Sequence, residues 1–256
     1  MSLSKKLLER YSRHIALDEV GEAGQKKILA GKVLIIGTGG LGSPAAMYLS
    51  AAGVGTIGIA DSDKVELSNL QRQIIHSSSD IGRAKVLSAK ERMQAINPDI
   101  RVDTYHTFVS ADNITDLMKN YDFIIDATDN FRSKFLINDT CVMMNKPFSH
   151  AGILRFGGQL MTYVPGKGPC YRCVFHTPPP DSMADTASHT GIIGAMCGVI
   201  GSMQAMEALK YLSGAGELLT GYLLTYDALT MQFRKIKLPA TVDDCPVCGK
   251  NSIIKF

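Results

Sequence analysis

Residues 32–61 read KVLIIGTGGLGSPAAMYLSAAGVGTIGIAD, and the fold turns on them. KVLII (32–36) is a compact run of β-branched and aliphatic residues, as a strand buried on both faces requires. GTGGLG (37–42) follows at once, then a helical stretch ending at Gly53, a good C-cap residue. GTIGIAD then reads as a second strand ending near Asp61. Strand, glycine turn, helix and strand make a βαβ unit. Gly37, Gly39 and Gly42 match GxGxxG, with Gly40 between them. Gly37 allows the tight turn, Gly39 lets a phosphate-bearing ligand approach the backbone, and Gly42 permits close packing. The helix N-terminus attracts negative charge. Asp61 stands where an acid accepts ribose hydroxyls. The pattern points to adenosine carrying phosphate and leaves NAD, FAD and ATP open.

Working outward, the alternation continues. Residues 83–95 predict a second long helix, with Ala84, Leu87, Ala89 and Met93 among Lys85, Lys90, Glu91 and Arg92. VDTYHTFV (102–109) is a strand or its loop, ITDLMKN (114–120) a short helix, and DFIIDATDN (122–130) a buried strand with acids at its carboxyl end. A helix through 131–140 follows, and PFSHAGI leads to a further parallel strand. Open parallel sheets bind ligands beyond their strand ends, so the loops at 37–42, 61–73 and 126–130 should converge. Beyond 155 the pattern changes. GGQLMTYVP alternates like an antiparallel strand, and GPCYRCVFHTPPPDSMAD reads as an extended crossing loop. Residues 191–212 predict a long apolar helix whose Gly194, Gly198 and Gly201 permit close backbone packing. LLTYDALTMQFRKIKL (223–238) predicts two strands. Upstream, residues 3–15 predict a short amphipathic helix, with Arg10, Arg13 and His14 on what reads as a solvated face. The second half reads as an extension of one domain, 1–256: a helical arm (1–30), a nucleotide-binding core (31–155) and a mixed-sheet extension (156–256).

A chain of 256 residues can build its core without metal or disulfides. Lys plus Arg number 27 and Asp plus Glu 24; the resulting charge of +3 excludes an acidic solvating tail and gives no basis for nucleic-acid binding. Hydrophobic residues at 45% and charged residues at 20% exclude disorder over most of the chain. No run approaches the roughly 18 apolar residues of a membrane span, so no membrane partner is expected. The charged start MSLSKKLLERYSRHIAL lacks a signal core, and the location expected is cytoplasmic. In that compartment paired cysteines indicate metal before disulfides.

Three constellations carry chemistry. DSDKVELSNLQRQ (61–73) adds Asp63, Asn69, Arg72 and Gln73 to Asp61, and Lys85 follows. Cations aimed at one phosphate ligand suit a triphosphate whose charge must be neutralised during transfer; hydride transfer has no such need. Taken singly, each of these cations is ordinary surface charge. Asp126 and Asp129 end the central strand. Asp126 suits the strand–helix turn, and Asp129 suits Mg²⁺, which prefers carboxylate and phosphate oxygens. An N-cap for the next helix is the competing use of Asp129 or Asn130. Cys170-x-x-Cys173 and Cys245-x-x-Cys248 offer four thiolates for a closed structural zinc site clipping the crossing loop to the C-terminal tail. Cys141 and Cys197 lie on apolar helices as small hydrophobes, and the six histidines show no catalytic spacing.

GTGGLGSP (37–44), DSDKVELSNLQRQ (61–73), IGRAK (81–85), DATDN (126–130), PCYRC (169–173) and CPVCG (245–249) together resemble the ThiF/MoeB/HesA family of ubiquitin-activating (E1)-like adenylyltransferases, over essentially the whole chain. The resemblance implies an α/β fold: a Rossmann-like ATP-binding domain with a mostly parallel sheet extended by antiparallel strands, an N-terminal helix and a structural zinc site. It implies MgATP and adenylylation of the C-terminal Gly-Gly of a small ubiquitin-like sulfur carrier of ThiS/MoaD type. Pyrophosphate is released, ahead of thiocarboxylate formation for thiamin thiazole. The same chemistry on the molybdopterin synthase small subunit is the alternative. An external sulfur donor such as a cysteine desulfurase and a homodimer are implied with it. The family's ribose acid falls on Asp61 and its nearby acid on Asp63. Its phosphate-binding residues fall on Asn69, Arg72, Gln73 and Lys85, and its magnesium aspartate on Asp129. Its zinc thiolates fall on Cys170, Cys173, Cys245 and Cys248. Its trans-acting arginine falls on Arg13, which overrides the solvated-face reading there.

One departure stands out. Many relatives carry a cysteine in the crossing loop where this chain has Ala187, and an alanine methyl cannot hold an acyl group. The chain is therefore expected to stop at the acyl-adenylate. A nicotinamide or flavin oxidoreductase would account for the glycine loop and Asp61 but not for Arg72, Lys85, Asp129 or the cysteine pairs. A zinc-stabilised scaffold without activity would be marked by loss of the phosphate-binding charges, and none is lost.

Overall fold

The computed structural model describes residues 3–180, 191–240, 242–250 and 252. The opening stretch folds as read: β1 (Lys32–Ile36), α4 (Gly42–Ala52) and β2 (Thr56–Ala60), with Gly53 left-handed at φ 80° to end the helix. β3 (Arg101–Tyr105), β4 (Phe123–Asp126) and β5 (Phe148–Leu154) extend the parallel sheet, and β6 (Gly157–Tyr163), β7 (Tyr222–Asp227) and β8 (Gln232–Lys237) continue it antiparallel. The order is β3-β2-β1-β4-β5-β6-β7-β8 in one sheet. The order reverses at β1, so the carboxyl ends of β1 and β4 open the crevice where such sheets bind ligands.

The two-residue alternation of β1 sends Val33 and Ile35 to one face and Leu34 and Ile36 to the other. The first face packs under α3 (Gly21–Ala30), α4, α5 (Lys85–Ile96) and α9 (Gly194–Ser213). The second packs under α6 (Ile114–Met118), α7 (Phe131–Met143) and the one-turn α8 (Tyr171–Val174). Burial on both faces is why the parallel strands read as unbroken apolar runs.

The N-terminal segment departs from expectation. Residues 3–15 form two short helices, α1 (Lys5–Arg10) and α2 (Ser12–Ile15), because Tyr11 leaves helical geometry between them. Its side chain is 2% exposed and presses on the end of α4, where a Cβ on Gly53 would lie 2.1 Å from the Tyr11 hydroxyl oxygen. α3 lies within the helical arm expected over 1–30, where the sequence reading delimits no helix beyond residue 15. α5 begins at Lys85 rather than 83, because Ala84 is extended and bridges to Lys64. In the described part of the crossing loop, up to residue 180, Tyr171–Val174 form α8. Ala187, Ser188 and His189 fall outside the described residues. Gly194 and Gly201 do sit against backbone: a Cβ on either would come within 2.3 Å of Gln71 O or Leu41 O. A Cβ on Gly198 would meet nothing within 4 Å among the described residues, so close packing there does not require glycine.

Candidate active site

The glycine loop is built as its spacing requires. Gly37 has φ +94°, and a Cβ there would lie 2.6 Å from Ala127 O. A Cβ on Gly42 would lie 2.0 Å from Gly37 O, so the loop closes on its own start. Gly40 abuts Cys197, whose Sγ would be 2.6 Å from a Cβ. Gly39 would meet only the Gln73 side chain, at 3.5 Å, which leaves its backbone open to a ligand. Thr38 donates from N and Oγ1 to Asp61 Oδ2 at 2.8 and 3.0 Å, and Asp63 N donates to Asp61 Oδ1 at 2.9 Å. The Asp61 carboxylate is thereby aimed, with lone pairs to spare for hydroxyl donors. His76 braces the loop from beneath, with Nε2 3.2 Å from Thr38 O and Nδ1 2.8 Å from Ser88 Oγ.

The three loops converge around a cavity of about 680 Å³, within the range of small-molecule sites. Gly37, Gly39, Gly40, Asp61 and Asp63 line it, as do Arg72, Gln73, Lys85 and Asp129. Lys85 Nζ pairs with Asp63 Oδ2 at 2.9 Å while its side chain is only 7% exposed, so a buried cation lines the cavity. Arg72 Nη1 donates to Ser68 O at 3.1 Å, and Gln73 Oε1 is buried without a partner among the described residues. Asn130 takes the N-cap of α7, accepting from Ser133 N at 2.8 Å, which leaves Asp129 exposed and free for a cation. Two expected residues stand apart. Asn69 is 8% exposed, and its Oδ1 accepts from Glu66 N at 3.1 Å to cap a short turn beside the cavity. Arg13 is exposed on α2 and lines no part of the cavity.

Asp126 is fully buried behind the lining residues Thr128, Lys134 and His150. Its Oδ1 accepts from Thr128 N and Oγ1 at 3.1 and 2.6 Å, which shapes the turn that carries Asp129. Its Oδ2 accepts from His150 Nδ1 at 2.8 Å and from Lys134 Nζ at 3.4 Å. Burial alone would raise this carboxyl; Lys134 and His150 reverse that and hold it at about 2. Lys134, His150, Tyr171 and Cys197 also line the cavity, and sequence reasoning had given none of them a place there. The register of β4 against β5, Asp126 opposite His150, was the signal available for one of them. Cys197 is buried at 1% exposed as expected, and burial pushes its thiol up to about 11 against the opposing pull of Arg72.

The four cysteine sulfurs lie within 4.8 Å of one another, with Cys170–Cys173 at 3.9 Å, Cys170–Cys245 at 3.6 Å and Cys173–Cys248 at 3.3 Å. A tetrahedron with Zn–S near 2.3 Å places its sulfurs about 3.8 Å apart, so the donor set and its spacing fit zinc. Tyr171, inside the first pair, packs on the His150 ring at 4.3 Å between centroids, and Arg172 clamps Asp139 of α7 with two bonds of 2.7 Å. The cysteine cluster is therefore mechanically continuous with the cavity lining. Among the described residues no helix is long and apolar enough to cross a membrane.

Comparison with known proteins agrees with this geometry. The chain is 41% identical over 254 residues to a sulfur carrier protein adenylyltransferase of Thermus thermophilus, covering 97% of the chain and 93% of that protein. It is 44% identical over 254 residues to a SAMP-activating enzyme E1 of Haloferax volcanii, covering 99% and 93%. An adenylyltransferase and sulfurtransferase MOCS3-1 of Zea mays is 44% identical over 98% of the chain, which spans only 54% of that longer protein. Among solved structures, E. coli MccB bound to MccA-N7isoASN superposes with a TM-score of 0.82 at 24% identity, over 97% of this chain and 76% of that one, a likeness of fold. The model of the ThiF family matches residues 11–247, nearly the whole chain, and the chain belongs to the ThiF family.

Proposed function

We propose that the chain uses ATP to adenylylate the C-terminal carboxylate of a small ubiquitin-like sulfur-carrier protein, releasing pyrophosphate. The observation that carries this reading is the convergence of Lys85, Arg72 and Asp129 on one cavity with the glycine loop. Adenine and ribose occupy the β1–β2 side, with hydroxyls on Asp61. The phosphates run over Gly39 and Gly40 toward Arg72, Gln73 and Lys85. Asn69 supports this loop from its capping position. The carrier carboxylate, already ionised, needs no base: its oxygen forms a bond to the α-phosphorus, the bond to the bridging oxygen breaks, and pyrophosphate leaves with that electron pair. Positioning and charge neutralisation do the work. Asp129 would hold Mg²⁺, which supplies charge compensation to the phosphate oxygens when bound. The four cysteines would hold Zn²⁺ in a structural role.

The sulfur of an external donor then attacks the acyl carbonyl and AMP leaves with the C–O electron pair, because AMP is a far better leaving group than oxide. With a persulfide donor such as a cysteine desulfurase, the resulting acyl disulfide is cleaved by a thiol reductant to release the thiocarboxylate. The thiamin-type carrier is the first substrate to test, and the molybdopterin-type carrier the second. The continuous eight-stranded sheet supports reading the chain as one adenylylating domain. Exposed Tyr48, Leu87 and Met206, on α4 and on the α5 and α9 that pack against it, support a homodimer. The deciding experiment is carrier-dependent ATP–pyrophosphate exchange with purified protein and ThiS-type or MoaD-type carriers. Exchange with neither, in protein that binds ATP, would refute the reading; nucleotide binding confined to NADH would point to an oxidoreductase instead.

A further inference from the structure

His150 lines the cavity while being only 1% exposed, and one of its ring nitrogens has no partner among the described residues. Nδ1 lies 2.8 Å from the ionised Asp126 carboxylate, an acceptor, so Nδ1 carries the proton. Burial, with Lys134 adding to it, keeps the ring neutral. Nε2 is therefore a fixed lone-pair acceptor, buried and unpaired, and such a group costs stability until a donor arrives.

The surroundings narrow the donor. A cation is repelled by Lys134, whose ammonium shares Asp126 with His150. A carboxylate or phosphate oxygen brings no proton and would face the lone pair with its own. A neutral N–H fits. Two residues along β5 from His150, on the same face, stands Gly152, paired across the sheet with Gln159 of β6. A Cβ on Gly152 would meet only the Gln159 side chain, at 3.3 Å, and one on the adjoining Gly157 only Leu154 O, at 3.5 Å. Gly152, Gly157 and Gln159 line the same cavity. Gly152 and Gly157 thus leave stretches of the β5–β6 backbone uncovered between the Leu154 and Gln159 side chains, and that backbone suits an extended main chain.

We propose that His150 Nε2 accepts a main-chain N–H from the carboxyl-terminal segment of the protein substrate, so that His150 is a substrate-binding residue selecting a peptide over a free carboxylic acid. This rests on the proposed function. The test is a coupling cycle in carrier-dependent pyrophosphate exchange. His150→Asn keeps an N–H toward Asp126 and removes Nε2. Semisynthetic carriers in which each of the last four peptide bonds in turn is an ester lack one N–H each. In His150→Asn the carrier KM should rise about tenfold, with the ATP KM changed by less than about twofold. One ester position should cost the wild-type protein the same roughly tenfold and cost His150→Asn nothing further. An unchanged carrier KM in His150→Asn, or losses that multiply to about a hundredfold in the combination, would overturn the assignment. Should His150→Asn fail to fold, the ester series on the wild-type protein decides: a flat series overturns the inference and a single costly position supports it. Exchange by the wild-type protein with the unmodified carrier separates the two claims, since its absence would refute the proposed function itself.

Discussion

Asp129 is exposed, lines the cavity and makes no hydrogen bond among the described residues, so its loss removes charge from the site and nothing from the core. Asp129→Ala is expected to reduce carrier-dependent pyrophosphate exchange at saturating Mg²⁺ by at least about a hundredfold, with the melting temperature within about 2 °C of wild type. Near-normal exchange would remove Asp129 from the site. Gly37 behaves oppositely. Its positive φ and the 2.6 Å approach to Ala127 O leave no room for a methyl, so Gly37→Ala should cost well over about 1 kcal/mol in urea unfolding. At this scale the sequence was most legible where a residue's chemistry depends on its immediate neighbours: the glycines and Asp61. It was least legible for Lys134, His150 and Cys197, which reach the cavity only because distant elements fold over it. A lone Cys197 on an apolar helix gives no sign that its sulfur will meet Gly40.

Between elements, Asp126 ties β4 to α7 through Lys134 and to β5 through His150. Its carboxyl sits at about 2, below the ordinary value near 3.9. A depressed carboxyl contributes stability that is fully present above the unfolded value and is lost as pH falls through the folded one. That contribution, roughly 2 kcal/mol, should therefore fade between about pH 4 and pH 2. Urea unfolding of wild type against Asp126→Asn should show a clear wild-type advantage at pH 6 that shrinks across that interval; a difference independent of pH would mean the carboxylate is not ionised in the folded protein. The cysteine cluster joins the crossing loop to the tail in the same way. Cys173→Ser should lose bound zinc and lower the melting temperature together, because a closed metal site contributes folding free energy. Well under one zinc per wild-type chain under reducing, chelator-free conditions would argue against the metal. These cysteine pairs were legible despite their separation because CxxC spacing identifies ligands locally. The split of the N-terminal helix was not, because Tyr11 is drawn out of helical geometry by a pocket at Gly53, which periodicity within the segment does not report.

Across the whole molecule, the alternating βαβ pattern was enough for the parallel half of the sheet, and two-residue periodicity enough for β6–β8. What local pattern could not supply is the relation of the N-terminal arm to the site. Arg13 is exposed on α2, outside the cavity it is expected to serve. α2 packs on α3, which in turn lies under α9, so the arm is held to the body on the helical face of the sheet. An arginine fixed there lies outside the cavity of its own chain, and the role proposed for it is at a phosphate group in a neighbouring subunit. This has a consequence that separates trans from cis action. In a heterodimer of Arg13→Ala and Lys85→Ala chains, trans action leaves one site with both cations intact and the other with neither. Cis action leaves each site lacking one. Both homodimers should be at least about thirtyfold slower than wild type in pyrophosphate exchange, and differently tagged, purified heterodimers should recover close to half of wild-type activity per dimer. Heterodimers verified by mass but no more active than the parent variants would place Arg13 outside the neighbouring subunit's site, and the exposed face of α2 would then be an ordinary solvated surface.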